Sequence, residues 1–144
     1  MFSKACKYAI RSTIYIAEQT SSGKRVGIKE IVKAIDSPEA FTAKILQQLS
    51  KAQIIESVKG PAGGFVINER KLKKLKLSEV VEAIDGDSIY KDCGLGFKVC
   101  SEKTPCPMHN KFKGIRKELK EMLENTCVIE LSQSLEKGLS FLNR

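Results

Sequence analysis

From Ser3 to about Gln19, the residues Ala9, Ile10, Thr13, Ile14 and Ala17 recur at helical spacing while Lys4, Lys7 and Arg11 keep to another face. That pattern predicts an amphipathic helix with a basic stripe, which is either a solvated face or one laid along a phosphate backbone. After the Ser21-Ser22-Gly23 turn, Ile28, Ile31, Val32 and Ile35 mark the buried side of a second, shorter helix. Asp36-Ser37-Pro38-Glu39 then reads as a helix start, with Ser37 as the cap, Pro38 at the first helical position and Glu39 at the positive end of the dipole. The third helix runs to about Ala52. It turns Phe41, Ile45, Leu46 and Leu49 inward and leaves Ala40, Thr42, Ala43, Lys44, Gln47, Gln48 and Lys51 outward.

Two short helices joined by a tight turn, the second with a polar, amide-rich and lysine-bearing outer face, are the parts of a helix-turn-helix. Gln pairs with adenine and Lys contacts guanine, so Thr42, Lys44, Gln47 and Gln48 are candidates for reading base edges in a major groove. The β-prone runs 54–59 and 65–68 flank Gly60-Pro61-Ala62-Gly63-Gly64 and predict a hairpin wing. A nucleotide-binding loop is the rival, but the run lacks the Gly-Lys-Ser/Thr ending and leads into a strand, not a helix. Lys59, Gly60 and Gly63 suit a minor groove, where close backbone approach and width matter more than base identity. Lys4, Lys7 and Arg11 are the expected phosphate contacts.

Ser78 is placed to cap a helix to about Asp85, with Val80, Val81 and Ile84 inward and Gly86 as its stop. Beyond His109, the residues Phe112, Ile115, Leu119 and Met122 form a narrow seam of coiled-coil type. The seam serves either an intramolecular core or, as favoured here, a dimer spanning two half-sites. Val128, Leu131, Leu135, Leu139 and Leu142 give a last amphipathic segment that docks back on the domain. The resulting class is mainly α with a small β-hairpin: a winged helix-turn-helix domain over 1–77, a linking helix and cysteine-rich loop over 78–109, and a dimerisation helix with a C-terminal helix over 110–144.

Charge sharpens this division. Residues 1–76 carry fifteen Lys and Arg against six Asp and Glu, and 77–144 carry ten against eleven, so the first part is +9 and the second −1. A polyanion-binding module joined to something that does not touch the polyanion has this footprint. A membrane is the rival polyanion, but no lipid-ready apolar face opposes the basic residues. With no apolar run of signal-peptide or membrane-spanning kind, a cytoplasmic protein is expected, with double-stranded DNA as partner.

The second part holds the unusual chemistry. Cys93, Cys100, Cys106 and His109, the only histidine, fall within seventeen residues. Thiolates and imidazole are ligands for zinc and for iron-sulfur centres. Zinc knuckles space their cysteines two to four residues apart, whereas six residues separate Cys93 from Cys100 and five separate Cys100 from Cys106. Gly94, Gly96, Pro105 and Pro107 keep the segment irregular, so it reads as a cradle for a centre larger than one ion. Three incidental buried thiols are the bland alternative, but Lys91, Asp92, Lys98, Ser101, Glu102, Lys103 and Thr104 make the stretch too polar for core. Five cysteines, an odd count, argue against a disulfide framework. No acid-base constellation surrounds His109, which argues against a nucleophilic-cysteine enzyme. An electron-transfer or cluster-carrier protein, its basic head docking acidic partners, is the other rival.

Several motifs together resemble the Rrf2 family of bacterial winged-helix transcription regulators, in its IscR- and NsrR-like branch. They are residues 3–11 (Ser-Lys-Ala-Cys-Lys-Tyr-Ala-Ile-Arg), 28–31 (Ile-Lys-Glu-Ile), the segment Phe41 to Leu49, 49–52 (Leu-Ser-Lys-Ala), 57–65 (Ser-Val-Lys-Gly-Pro-Ala-Gly-Gly-Phe) and 77–86 (Leu-Ser-Glu-Val-Val-Glu-Ala-Ile-Asp-Gly) ahead of the cysteines. The resemblance implies a homodimeric repressor or activator whose long helix crosses its partner. It also implies an iron-sulfur cluster, 2Fe-2S ahead of 4Fe-4S, on Cys93, Cys100, Cys106 and His109, sensing redox state, nitric oxide or iron-sulfur status. A family regulator without a cluster, responding to thiol oxidation, a small ligand or a partner protein, is the alternative. The chain departs from the family pattern in a first cysteine gap one residue longer, in Cys6 where glycine is usual, in Lys59 where arginine is common and in Gln53 where a turn glycine is common. Cys6 is either an extra ligand or a small helix residue, and Cys127 is expected to be a buried structural cysteine.

Overall fold

The computed structural model describes residues 1–144. Helix α1 spans Lys4–Ser21 and is started by Ser3, whose Oγ accepts from the Cys6 amide at 3.0 Å. Asp85 in turn accepts from the Ser3 amide at 3.0 Å and pairs with the Ser3 hydroxyl, tying this cap to a distant helix end. Helix α2 spans Ile28–Ile35 and α3 spans Glu39–Lys51. Eight residues make too short a helix to persist alone, so α2 depends on burial of Ile31 and Ile35 against Ile16, Ala17, Ile45, Leu46 and Leu49 in the main core.

The start of α3 differs from expectation. Pro38 itself is the cap, and α3 begins at Glu39. Ser37 does not cap the amides; its hydroxyl lies 2.7 Å from Thr42 Oγ1, which donates to the Pro38 carbonyl at 2.8 Å. A hydroxyl has a single proton, so Ser37 is the donor to Thr42.

Strands β1, Glu56–Val58, and β2, Gly64–Val66, pair antiparallel with Ser57 opposite Phe65. Val26 adds an isolated bridge to Phe65, through bonds of 3.2 and 2.7 Å, which moors the wing to the segment before α2. Helix α4, Glu69–Lys74, is capped by Asn68 and was not anticipated, because six residues with only Leu72 buried carry no readable period.

Helix α5 spans Leu77–Asp85. Glu79, not Ser78, closes its start, accepting from the Lys76 amide at 2.9 Å and from Lys71 Nζ at 2.7 Å, while Ser78 lies buried inside the helix. Gly86 (φ 66°) ends it. After the short α6, Ser88–Lys91, an irregular segment leads to α7, His109–Asn125, and then to α8, Val128–Glu136. Gly138 (φ 67°) follows the end of α8, so Leu139 falls outside the helix and is exposed, contrary to the expected apolar face.

The two halves of the chain share one body. Helix α8 packs on α1, and bonds from Leu77 N to Thr126 O and from Val128 N to Leu75 O, both 2.9 Å, join the α4–α5 connection to the α7–α8 connection. A second, smaller core of Cys6, Leu77, Val81 and Leu123 locks α1, α5 and α7 together.

Candidate nucleic-acid interface and cysteine loop

Helix α3 presents Lys44, Gln47, Gln48 and Lys51 exposed on one face, at spacings of three and four. The opposite side is held by Ile45, Leu46 and Leu49, all at 1% exposure or less. Thr42 departs from expectation. It is fully buried, with its hydroxyl committed to Pro38 and Ser37, so it shapes the helix start and is withdrawn from the outer face.

In α1, Lys4 and Lys7 are exposed, but Arg11 is not part of their stripe. Its Nε donates to the Leu142 carbonyl at 2.9 Å, its Nη2 to the carbonyls of Leu142 and Ile35, and its guanidinium lies over the Tyr8 ring at 5.7 Å. Tyr8 meets Phe41 of α3 edge-on, centroids 5.7 Å apart. The expected phosphate contact at Arg11 is therefore corrected: three-element packing draws the side chain inward.

At the wing, Lys59 and Gly60 are exposed. The Gly63 amide donates to the Gly60 carbonyl at 2.9 Å, and a Cβ at Gly63 would fall 2.2 Å from the Val58 carbonyl oxygen, so only glycine fits this tip. Arg25 Nη1 donates to the Ala62 carbonyl at 3.4 Å, adding a cation that sequence reasoning missed. The signal for it was the register of Val26 against β2, which local pattern does not reveal.

The cysteine loop sits between α6 and α7. Cys93, Cys100, Cys106 and His109 line one cavity of about 310 Å³ together with Phe97 and Val99. Within it, Cys100 Sγ lies 3.4 Å from His109 Nδ1. No three such groups converge tightly enough to hold a single metal ion. The backbone amides of Leu95 and Phe97 point at Cys93 and hold its thiol below the ordinary cysteine range. His109 opens α7 with its side chain buried and its Nε2 unpartnered. Arg116, about two turns further along the helix, donates to Cys100 Sγ at 3.4 Å and to the Asp92 carbonyl at 3.2 Å, and had no sequence signal as part of this site.

The family model described as an iron-dependent transcriptional regulator, Rrf2, matches residues 2–134. The chain belongs to the Rrf2 family. It is 30% identical to a helix-turn-helix-type transcriptional regulator of Aquifex aeolicus, covering 100% of this chain and 99% of that one. It is 28% identical to the regulator IscR of Cereibacter sphaeroides over 80 residues, 55% of this chain and 51% of the relative. Two solved structures share the fold. CymR, the global cysteine regulator of B. subtilis, superposes with a TM-score of 0.74 at 18% identity, covering 92% of this chain and 96% of that one. T. potens IscR gives 0.75 at 16% identity, covering 97% and 91%.

This Rrf2 regulator is thus a DNA-binding helix-turn-helix protein and not an enzyme. No helix is long and apolar enough to cross a membrane. Its two remaining cysteines lie outside the loop cavity, and Cys127 is less buried than expected. Cys6 is fully buried in the second core, where burial first, and then Asp85, push its thiol up to about 12. Cys127 is half-buried and accepts from Lys76 Nζ at 3.1 Å beside the bridge joining residues 76 and 127. The apolar seam of α7 divides. Phe112 packs its ring against the backbone at Gly94, and Leu119 against the second core, while Ile115 (57%) and Met122 (47%) stay exposed.

Proposed function

We propose that this Rrf2 regulator binds its operator as a homodimer, with DNA affinity set by an iron-sulfur cluster on Cys93, Cys100, Cys106 and His109. The observation that carries the reading is one cavity lined by three thiols and a buried imidazole whose Nε2 has no partner. An unpartnered buried polar atom costs about 1–3 kcal/mol, and donors too dispersed for a single ion suit a larger centre. When bound, the cluster supplies a redox-sensitive charge, 2Fe-2S being preferred over 4Fe-4S.

The chain's own residues do the rest. The Leu95 and Phe97 amides lower the pKa of the Cys93 thiol, and Arg116 places positive charge beside Cys100. Phe112 against Gly94 ties the loop to α7, whose exposed Ile115 and Met122 are one heptad apart and face a second copy. Lys44, Gln47 and Gln48 meet base edges, Lys59, Gly60 and Gly63 a minor groove, and Lys4 and Lys7 phosphates.

The test is the visible spectrum, with iron and acid-labile sulfide counts, of protein purified without oxygen. Stoichiometric iron and sulfide, lost in Cys100→Ala, support the cluster; a colourless protein after reconstitution rejects it. A second reading then takes over, favoured by three thiols lining one cavity: direct thiol oxidation. For the dimer, light scattering of Ile115→Glu/Met122→Glu should give a monomer, and an unchanged mass would remove this face from the interface.

A further inference from the structure

We propose that Arg11 and Asn143 are positioning residues for operator recognition: together they clamp the C-terminal end of α2 and so set the angle of α3. This inference rests on α3 being the reading helix, as proposed above.

The last carbonyls of any α-helix lack partners within it. In α2 the last three, of Lys33, Ala34 and Ile35, are satisfied from elsewhere in the chain. Asn143 Nδ2 donates to the Ala34 carbonyl at 2.6 Å and to the Lys33 carbonyl at 3.4 Å. Arg11 Nη2 donates to the Ile35 carbonyl, and the same guanidinium grips the Leu142 carbonyl. Residues more than a hundred positions apart therefore meet at one helix end.

The next residue is Asp36, in the left-handed region at φ 50°, and only Ser37 and Pro38 separate it from α3. Ser37 is bonded forward to Thr42 and back to the Val32 carbonyl, at 3.2 Å, so this connection has no slack. A tilt at Ile35 is passed to Glu39.

The strap that carries Asn143 is anchored at one side chain. Leu142 packs partly buried against the main core, while its neighbour Phe141 is 79% exposed. The strap follows α8, and α8 follows α7, which starts at His109 in the cysteine loop. The clamp thus stands at the far end of the covalent path from that loop to the reading turn.

The test uses the full chain with Asn143→Ala and Arg11→Gln. The probes are a duplex selected by the wild-type protein from a random-sequence pool and a mixed-sequence duplex of equal length. For Asn143→Ala the expected result is a five- to tenfold loss on the selected duplex, no change on mixed sequence, an unchanged melting temperature and faster hydrogen exchange at the Asp36 and Ser37 amides. For Arg11→Gln the salt slope should stay as in wild type, whereas a phosphate contact would lower it by about one. Unchanged exchange in Asn143→Ala overturns the clamp. Equal losses on both duplexes overturn the positioning role in favour of general destabilisation, and a lowered slope for Arg11→Gln returns that residue to the phosphate stripe. Exchange needs no DNA, so a wild-type chain that selects no sequence is seen separately: it overturns α3 as the reader, and the positioning role with it.

Discussion

Thr42→Val separates a base contact from an internal brace. Valine keeps the shape and β-branching of threonine, so packing against Ile45 and Leu46 is retained and only the hydroxyl is lost. That hydroxyl makes two bonds, donating to the Pro38 carbonyl at 2.8 Å and accepting from Ser37 Oγ at 2.7 Å. A net intramolecular hydrogen bond contributes about 0.5–1.5 kcal/mol. The Pro38 carbonyl keeps its bond from the Thr42 amide at 3.0 Å, and the half-buried Ser37 can turn to water, so the pair falls to about 1–2 kcal/mol in total. Unfolding entropy of about 2.1 cal/mol/K per residue gives roughly 0.3 kcal/mol/K for 144 residues, which converts that loss into a melting point lower by about 3–7 °C. The assay is calorimetry at fixed protein concentration, alongside base-by-base substitution of a selected duplex. A melting point within a degree of wild type, with preference relaxed at one base pair, would refute the buried placement and restore Thr42 to the major groove.

Three further outcomes are expected. Lys7→Ala should weaken binding to all sequences and lower the salt slope by about one, measured by anisotropy titration at several salt concentrations; a loss confined to one base pair would contradict a phosphate role. In metal-free protein, mass-resolved alkylation should label Cys93 ahead of Cys6, because a lowered pKa raises the thiolate fraction at a given pH whereas Cys6 is buried and pushed up to about 12; equal rates in the folded state would sink both assignments. Gln53 occupies the left-handed region at φ 60°, which costs an L-residue about 1–2 kcal/mol, so Gln53→Gly should gain about 0.5–1 kcal/mol after the extra unfolded-state entropy of glycine, read as a higher melting point.

The parts legible in sequence are those governed by local repetition. Helices α1 to α3 were readable because their apolar residues recur over two or more turns, and the wing because glycines punctuate two β-prone runs. The family usage of glycine at Gln53 also has its explanation in the positive φ found there. What escaped was set by partners far away in the chain. Arg11 looks like a member of a basic stripe until Leu142 and Ile35 supply carbonyls to it. Leu139 continues an apolar period that Gly138 has already broken. Thr42 carried a local signal that was outweighed, since a threonine four residues after a helix-starting proline is placed to bond back to its carbonyl. In the loop, ligand types were legible from composition, but the approach of Cys100 to His109 was not, because six- and five-residue gaps leave the irregular backbone many paths.

The size of the contacts between loop and reading head bears on how such a protein can switch. Allosteric coupling is typically about 1–3 kcal/mol. The helix carrying Cys6 is started by Ser3, and Ser3 is held by Asp85, the last residue of α5 and only eight residues before Cys93. A helix cap is worth about 0.5–2 kcal/mol, so displacement of Asp85 alone reaches the usual coupling range. The bridge at Lys76 and Cys127, with its two flanking backbone bonds, offers a second contact of that order. Regulation through either needs no unfolding and no large rotation, only a loop that holds the end of α5 in one place when ordered and releases it when not. Since Asp85→Asn retains an acceptor for the Ser3 amide but removes the carboxylate charge, it should weaken the dependence of DNA affinity on loop state and spare the fold, whereas Val81→Ala in the second core should lower stability by about 1–3 kcal/mol with or without the loop ordered.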